Sequence, residues 1–277
     1  MQWRPEAEEL LNKVPFFVRK KVRSRVEKEA KEAGKSMVTP VEVRATQKRY
    51  LTGMQAEVRG YQLDTCFGPQ GCPNRANPGE NLMDDIENLL READLLSFLK
   101  DSVTGDLKFH HEFRVTLADC PNACSQPQIK DIGIIGAAVP EIVDAECTRC
   151  ENCVEVCKDN AVALNEHQPK PQIDYKQCLN CGQCIKVCPS GTIQDICRGY
   201  RVQLGGKLGR HPQLAKELPG IYTEKEVLQI VQDCLTLYKQ RSTGGRRFAE
   251  IFGEEEFQML SQRYAGKSNY HGQMADR

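Results

Sequence analysis

The segments CTRCENCVEVC (147–157) and CLNCGQCIKVCP (178–189) both read CxxCxxCxxxC, and they lie within residues 141–190. Eight thiols at that rhythm leave the chain between them little to do except fold around what they hold. The spacing lets three thiolates of one run grip one cubane while the fourth crosses to the other. Cys147, Cys150, Cys153 and Cys188 then hold one [4Fe-4S] cluster, and Cys178, Cys181, Cys184 and Cys157 a second. A zinc site also begins CxxC, but it leaves the third and fourth cysteines of each run unused. Proline follows only the second run, as Pro189; Lys158 stands in the first. The crossed pattern is that of a bacterial two-cluster ferredoxin.

Of fourteen cysteines, twelve fall in tight groups and only Cys197 and Cys234 stand apart. In a reducing compartment such clustering reads as metal ligation rather than disulfides. Upstream, TCFGPQGC places Cys66 six residues before Cys72, and ADCPNAC places Cys120 four before Cys124. Four thiolates from two loops is the number a third cubane needs, and a thiolate can also bridge a cluster to a second iron centre.

Basic and acidic residues number 38 each, which gives no overall bias toward nucleic acid or anionic membranes. No stretch approaches the roughly 20 apolar residues of a membrane span, and MQWRPEAEEL lacks the charged-then-apolar order of a signal peptide, so a cytoplasmic setting is expected. The first 48 residues read as three short, mostly polar helices. Gly34 is a C-cap, Thr39 and Glu42 form a capping box, and Pro40 takes the first helical position. Twelve Lys and Arg against seven Glu there make either a solvated helix face or a docking patch for an acidic partner or ligand. Further on, Leu82, Ile86, Leu89 and Leu90 keep a helical period, and FHHEFRVTLAD alternates like a strand with Phe109, His111, Phe113, Val115 and Leu117 on one face. TEKEVLQIVQDCLTLYKQR opens with a second capping box, Thr223 and Glu226, and repeats apolar residues at 227, 230, 231, 234, 235 and 238; Cys234 on that stripe reads as a core thiol, and Cys197 as structural.

The order CxxxxxC, CxxxC, DIGIIGAAVP, paired ferredoxin motifs and GGKLGRHP resembles the sirohaem sulfite and nitrite reductases, over about residues 50 to 262. Within them it is most similar to the small anaerobic and dissimilatory types that carry an inserted ferredoxin. The resemblance implies an α+β chain: a small helical domain (1–48), a sulfite-reductase-like α/β sandwich (49–140 and 191–265) and a two-cluster ferredoxin insertion (141–190); the polar composition of 266–277 reads as a flexible tail. It implies that Cys66, Cys72, Cys120 and Cys124 hold a cubane whose Cys124 bridges to sirohaem iron, where sulfite or nitrite takes up six electrons. Arg114, Lys207 and Arg210 become candidate cations for the substrate anion and the sirohaem carboxylates, and Gly205 and Gly206 candidate points of close backbone approach to the cofactor; a solvated turn is the plainer reading of Lys207 and Arg210. Arg59 is a weaker candidate cation.

The chain departs from that pattern in places. Glu112-Phe113-Arg114 stands where the family tends to have Lys-Phe-Lys, and Asp119 where it has Gly, so two carboxylates are expected near the site. The half-domain that usually precedes the motifs is replaced by about fifty residues. Trp3, VPFFVR (14–19), Glu27, Ala30, Gly34 and VTPVEVRAT (38–46) in that segment resemble the C-terminal helical domain of the light-independent protochlorophyllide reductase B subunit, which helps enclose a tetrapyrrole. Two functions follow as expectations: a sirohaem reductase fed through its own ferredoxin module by an external electron donor protein, or an electron-transfer subunit with three cubanes on a reductase scaffold. A second copy or a second subunit would complete the sirohaem site.

Overall fold

The computed structural model describes residues 1–265 apart from 78 and 80, with no side-chain account of 51–56; the tail expected at 266–277 lies outside the described residues. The chain divides into two compact units, Met1–Val58 with Gly105–Phe109, and Arg59–Thr104 with the chain from His110 on.

The first unit orders β1 (Gln2–Trp3), α1 (Pro5–Asn12), α2 (Phe16–Glu32), β2 (Met37–Val38) and α3 (Pro40–Glu57). The three helices appear as expected, and Gly34 takes a left-handed φ of 71° just past α2. Thr39 N–H donates to Glu42 Oε2 at 2.9 Å, while Val41 N–H donates to Thr39 Oγ1 at 3.2 Å. Helix α3 runs on to Glu57, so the boundary expected at 48 falls within a helix and the unit ends at Val58. The parallel pairing of β1 with β2 is too short to read from alternation. Ala7, Val26, Ala30, Val38 and Val43 are buried together in its core, with Trp3 against them. Trp3 Nε1–H donates to Glu27 Oε1 at 2.8 Å, beneath the Arg23 guanidinium. Trp3, Glu27, Ala30 and Gly34 therefore serve the fold of this unit.

The second unit is built on a five-stranded sheet in the order β3 (Tyr61–Thr65), β4 (Phe113–Ala118), β5 (Ile132–Ile142), β8 (Ile193–Leu204), β9 (Lys216–Glu217). β3, β4 and β5 are parallel; β8 runs antiparallel to β5 and β9 to β8. Residues 109–111 form a 3-10 turn, so the strand expected across 109–117 starts at Phe113, and five of its six residues are buried. A central parallel strand is covered on both faces, which hides the alternation. Helices α4 (Leu82–Glu92), α5 (Leu95–Ser102), α8 (Glu224–Arg241), α9 (Phe248–Ile251) and α10 (Glu254–Ala265) contribute the other side of one core. The six apolar positions expected on α8 are all buried, and its capping box is closed by Glu226 N–H to Thr223 Oγ1 at 3.3 Å. Truncating one of these side chains, Ile230→Ala for instance, costs about 2–5 kcal/mol.

The insertion lies between β5 and β8, whose last paired residues are Ile142 and Ile193. It therefore occupies 143–192, with α6 (Asn152–Glu155), the antiparallel pair β6 (Val162–Ala163) and β7 (Gln172–Ile173), and α7 (Gln183–Val187). Two long paired strands carry it beyond the C-terminal ends of β3 and β4.

Candidate iron-sulfur centres

Parallel neighbours point their C-terminal ends the same way, and ligand sites collect there. Cys66 follows the last residue of β3 and Cys120 comes two after the last of β4, at the shared end of that pair. Cys66 N–H still donates to Leu117 O at 3.1 Å. The loop carrying Cys66 turns at Gly71 (φ 102°) to present Cys72, and the loop carrying Cys120 turns at Ala123 (φ 53°) to present Cys124. Gly68 N–H and Asp119 N–H each donate to Cys66 Sγ at 3.3 Å, and Asn122 Nδ2 donates to Cys124 Sγ at 3.0 Å. Burial pushes the Cys120 thiol up, and the neighbouring Cys66, Cys72 and Cys124 add to the rise. The four cysteines are thus electrostatic neighbours; Cys124 alone of them is exposed.

In the insertion the two runs take the same path. The second and fourth residues after each leading cysteine are left-handed: Arg149 and Glu151 in the first run, Asn180 and Gly182 in the second. In both, the N–H two residues on donates to the leading sulfur at 3.4 Å, Arg149 to Cys147 and Asn180 to Cys178, as Gly68 does to Cys66. Amide hydrogens aimed at sulfur favour the thiolate and raise the potential of a cluster bound to it. Cys157, Cys178, Cys181 and Cys184 line one small cavity, and Cys147, Cys150, Cys153 and Cys188 line another. The fourth cysteine of each run has crossed into the other run's group. Burial pushes Cys184 up to about 12, with Cys178, Cys181 and Cys157 reinforcing it. Burial also opposes ionisation of Cys188, but N–H groups of Ile193, Thr192 and Ser190 and the Ser190 hydroxyl outweigh it and hold that thiol below its usual range. Among the described residues no three His, Cys, Asp or Glu converge on a single-ion site; a cubane takes one corner iron per thiolate instead.

The other expected residues are not gathered with these cysteines. Arg114 is the second residue of β4, and its N–H donates to Asp131 Oδ2 at 2.8 Å. Lys207 and Arg210 follow β8, whose last residue pairs with the first of β5, again at the end where β4 begins. At about 3.3 Å per residue, β4 puts roughly 20 Å between that end and Cys120. Lys207 faces Glu250 at 3.5 Å, and Arg210 is exposed. A Cβ on Gly205 would meet Phe252 at 2.8 Å and one on Gly206 would meet Gln128 O at 2.5 Å, so the close approach these glycines allow is to the chain itself. Glu112 is buried at the start of β4, where Arg59 N–H and Gln62 Nε2 donate to it at 2.8 and 2.6 Å; it does not face the cysteine loops. Asp119 does lie there, but its carboxylate is buried against Arg75 Nε at 2.5 Å. Of the two carboxylates expected near the site, one is remote and the other is neutralised.

The thiolates fit cubanes. A sirohaem also needs cations for its many carboxylates; Arg75 and Lys130, beside the cysteine loops, are engaged by Asp119 and Asp64, as Lys207 is by Glu250 at the other end of the sheet. Arg75, Asn122 and Lys186 were missed by the sequence reading, although CPN recurs after both Cys72 and Cys120 and places Asn122.

Residues 64–268 match the family model for the nitrite and sulphite reductase 4Fe-4S domain. The chain belongs to that family. Residues 3–46 match a second model, the proto-chlorophyllide reductase 57 kD subunit. The reductase part is 29% identical over 201 residues to the coenzyme F420-dependent sulfite reductase of Methanocaldococcus jannaschii, covering 73% of this chain and 30% of that protein. The N-terminal part is 56% identical over 39 residues to the B subunit of the light-independent protochlorophyllide reductase of Chlorobium phaeobacteroides, covering 14% of this chain and 7% of that one. The chain thus spans less than a third of these two relatives. A solved dissimilatory sulfite reductase I shares the fold at 15% identity, with a TM-score of 0.50 over 78% of this chain and 54% of that one. No helix among the described residues is long and apolar enough to cross a membrane.

Proposed function

We propose that the chain is the cluster-bearing half of a sirohaem-type sulfite or nitrite reductase. It holds three [4Fe-4S] clusters, at Cys147/Cys150/Cys153/Cys188, at Cys157/Cys178/Cys181/Cys184 and at Cys66/Cys72/Cys120/Cys124. The observation that carries this reading is the sorting of twelve cysteines into three groups of four, two of them crossed between runs and one at the ends of neighbouring parallel strands. With clusters bound, the insertion would relay electrons from an external donor protein toward the group of Cys66, Cys72, Cys120 and Cys124. Sirohaem, when bound, supplies the site at which the oxyanion is reduced. Cys124, exposed and with its sulfur held by Asn122, would be the thiolate turned toward that group. Arg114, Lys207 and Arg210 stand at the far end of the strands, so this reading assigns them no contact with the substrate. A second copy or a second subunit supplies the remaining cations.

A second reading is favoured by the internal pairing of Arg75, Lys130 and Lys207: a three-cluster electron carrier without oxyanion turnover. Expression with a sirohaem supply separates the two. The reductase reading expects tetrapyrrole absorption that shifts on adding sulfite, and loss of cluster-to-haem coupling in Cys124→Ser; a protein that never takes up tetrapyrrole, alone or with its partner, leaves the carrier.

A further inference from the structure

Helix α7 lies between Cys181 and Cys188, and its one cation reaches out of the insertion. Lys186 Nζ donates to Pro73 O at 2.9 Å and to Arg75 O at 2.6 Å, more than a hundred residues away in sequence. Those carbonyls belong to the turn immediately after Cys72. Arg75 continues the connection through its Nε to Asp119, whose own N–H donates to Cys66 Sγ. A second attachment lies on the sheet side. Ala138 N–H donates to Asn180 O at 2.8 Å, Ala138 bridges to Cys181, and a Cβ on Gly182 would come within 2.9 Å of Ala138 Cβ. Both attachments engage the segment that carries Cys178, Cys181 and Cys184. In the other run, Arg149 instead donates to the carbonyls of Asn165 and Gln168 within the insertion, so that group is the outer one.

We propose that Lys186 is a positioning residue: it fixes the cluster of Cys157, Cys178, Cys181 and Cys184 at a set distance from the cluster of Cys66, Cys72, Cys120 and Cys124, and so sets the rate of the electron step between them. This rests on the cluster assignment made above. The step itself is one electron leaving the reduced inner cluster and entering the oxidised loop cluster, with no bond made or broken. The residue type matters because an ammonium has three donors on a long stem and can hold two carbonyl oxygens at once. Its charge also lies beside the loop and favours the reduced form of the cluster there.

The test compares wild type, Lys186→Met and Lys186→Arg as full-length, anaerobically reconstituted protein with dithionite as reductant. Iron per chain, the spin–spin splitting between reduced clusters, and the freeze-quench rate at which the loop cluster is reduced are read for each. Lys186→Met is expected to keep the wild-type iron content, weaken the splitting and slow the step several-fold, while Lys186→Arg restores both. If Lys186→Met loses iron, Lys186→Gln is read in its place, with the same expectation. Unchanged splitting and rate in a fully loaded Lys186→Met or Lys186→Gln protein overturn this inference alone. A wild type that never loads three clusters overturns the cluster assignment, and this inference with it.

Discussion

Breaking the Arg75–Asp119 pair should loosen the loop cluster, and it should do so asymmetrically. The Asp119 side chain is 3% exposed and that of Arg75 27%, at 2.5 Å. Removing one partner of a fully buried pair costs about 3–5 kcal/mol, because the other is left buried and uncompensated. Arg75 keeps some contact with water, which discounts the figure for this pair to about 2–3 kcal/mol for Arg75→Ala, where the stranded group is the carboxylate. For Asp119→Ala the stranded guanidinium can turn toward solvent, and the cost falls to about 1–2 kcal/mol. Both losses act on the opening of two loops that carry Cys66, Cys72 and Cys120, so the readout is iron release from reconstituted protein into a chelator. At 1.4 kcal/mol per tenfold, Arg75→Ala should release the loop cluster about thirtyfold to a hundredfold faster than wild type, with Asp119→Ala between the two and the double variant slower than Arg75→Ala. Release from Arg75→Ala at the wild-type rate, or an equal effect from both single variants, would refute the reasoning.

Two further outcomes are expected. Burial raises Asp131 to about 6 from 3.8, with Arg247 and Arg114 partly offsetting it; the folded state then holds a proton that the unfolded chain releases, so its contribution is fully present below about pH 4 and lost as pH rises through 6. The stability difference between wild type and Asp131→Asn in denaturant should accordingly shift by up to about 3 kcal/mol against wild type between pH 4 and 7 and stay flat above, and a flat difference across the whole range contradicts it. Cys188→Ser should disturb the cluster of Cys147, Cys150 and Cys153 and leave that of its own run intact, which Mössbauer spectra of the two variants Cys188→Ser and Cys157→Ser would read; damage confined to the run that carries the mutation would mean the ligands do not cross.

What the sequence disclosed was what depends on local spacing. The stripe of α8 and the capping box of Thr223 and Glu226 follow from periodicities of a few residues and appear as read; at Thr39 the Glu42 half forms, while Oγ1 takes the Val41 N–H. The cysteine runs, too, are local patterns, whose rhythm lets the fourth thiol of each cross to the other. Contacts between distant segments were not. Nothing local in Lys186 shows that its amine meets Pro73 O and Arg75 O, and nothing in CPNR shows that its arginine meets Asp119. Glu112 was misplaced because the text of the chain gives the order of residues on a strand but not which end of the sheet the cysteines occupy. Gly205 and Gly206 signalled close approach correctly, and only the fold shows that Phe252 and Gln128 are what they approach.

Three cubanes on one chain can be counted as iron, acid-labile sulfide and tetrapyrrole per chain on anaerobically purified protein. Four irons at each of three centres predict about twelve irons and twelve sulfides, and about thirteen irons when one sirohaem accompanies them. Eight irons or fewer after full reconstitution, or zinc in their place, would contradict the account.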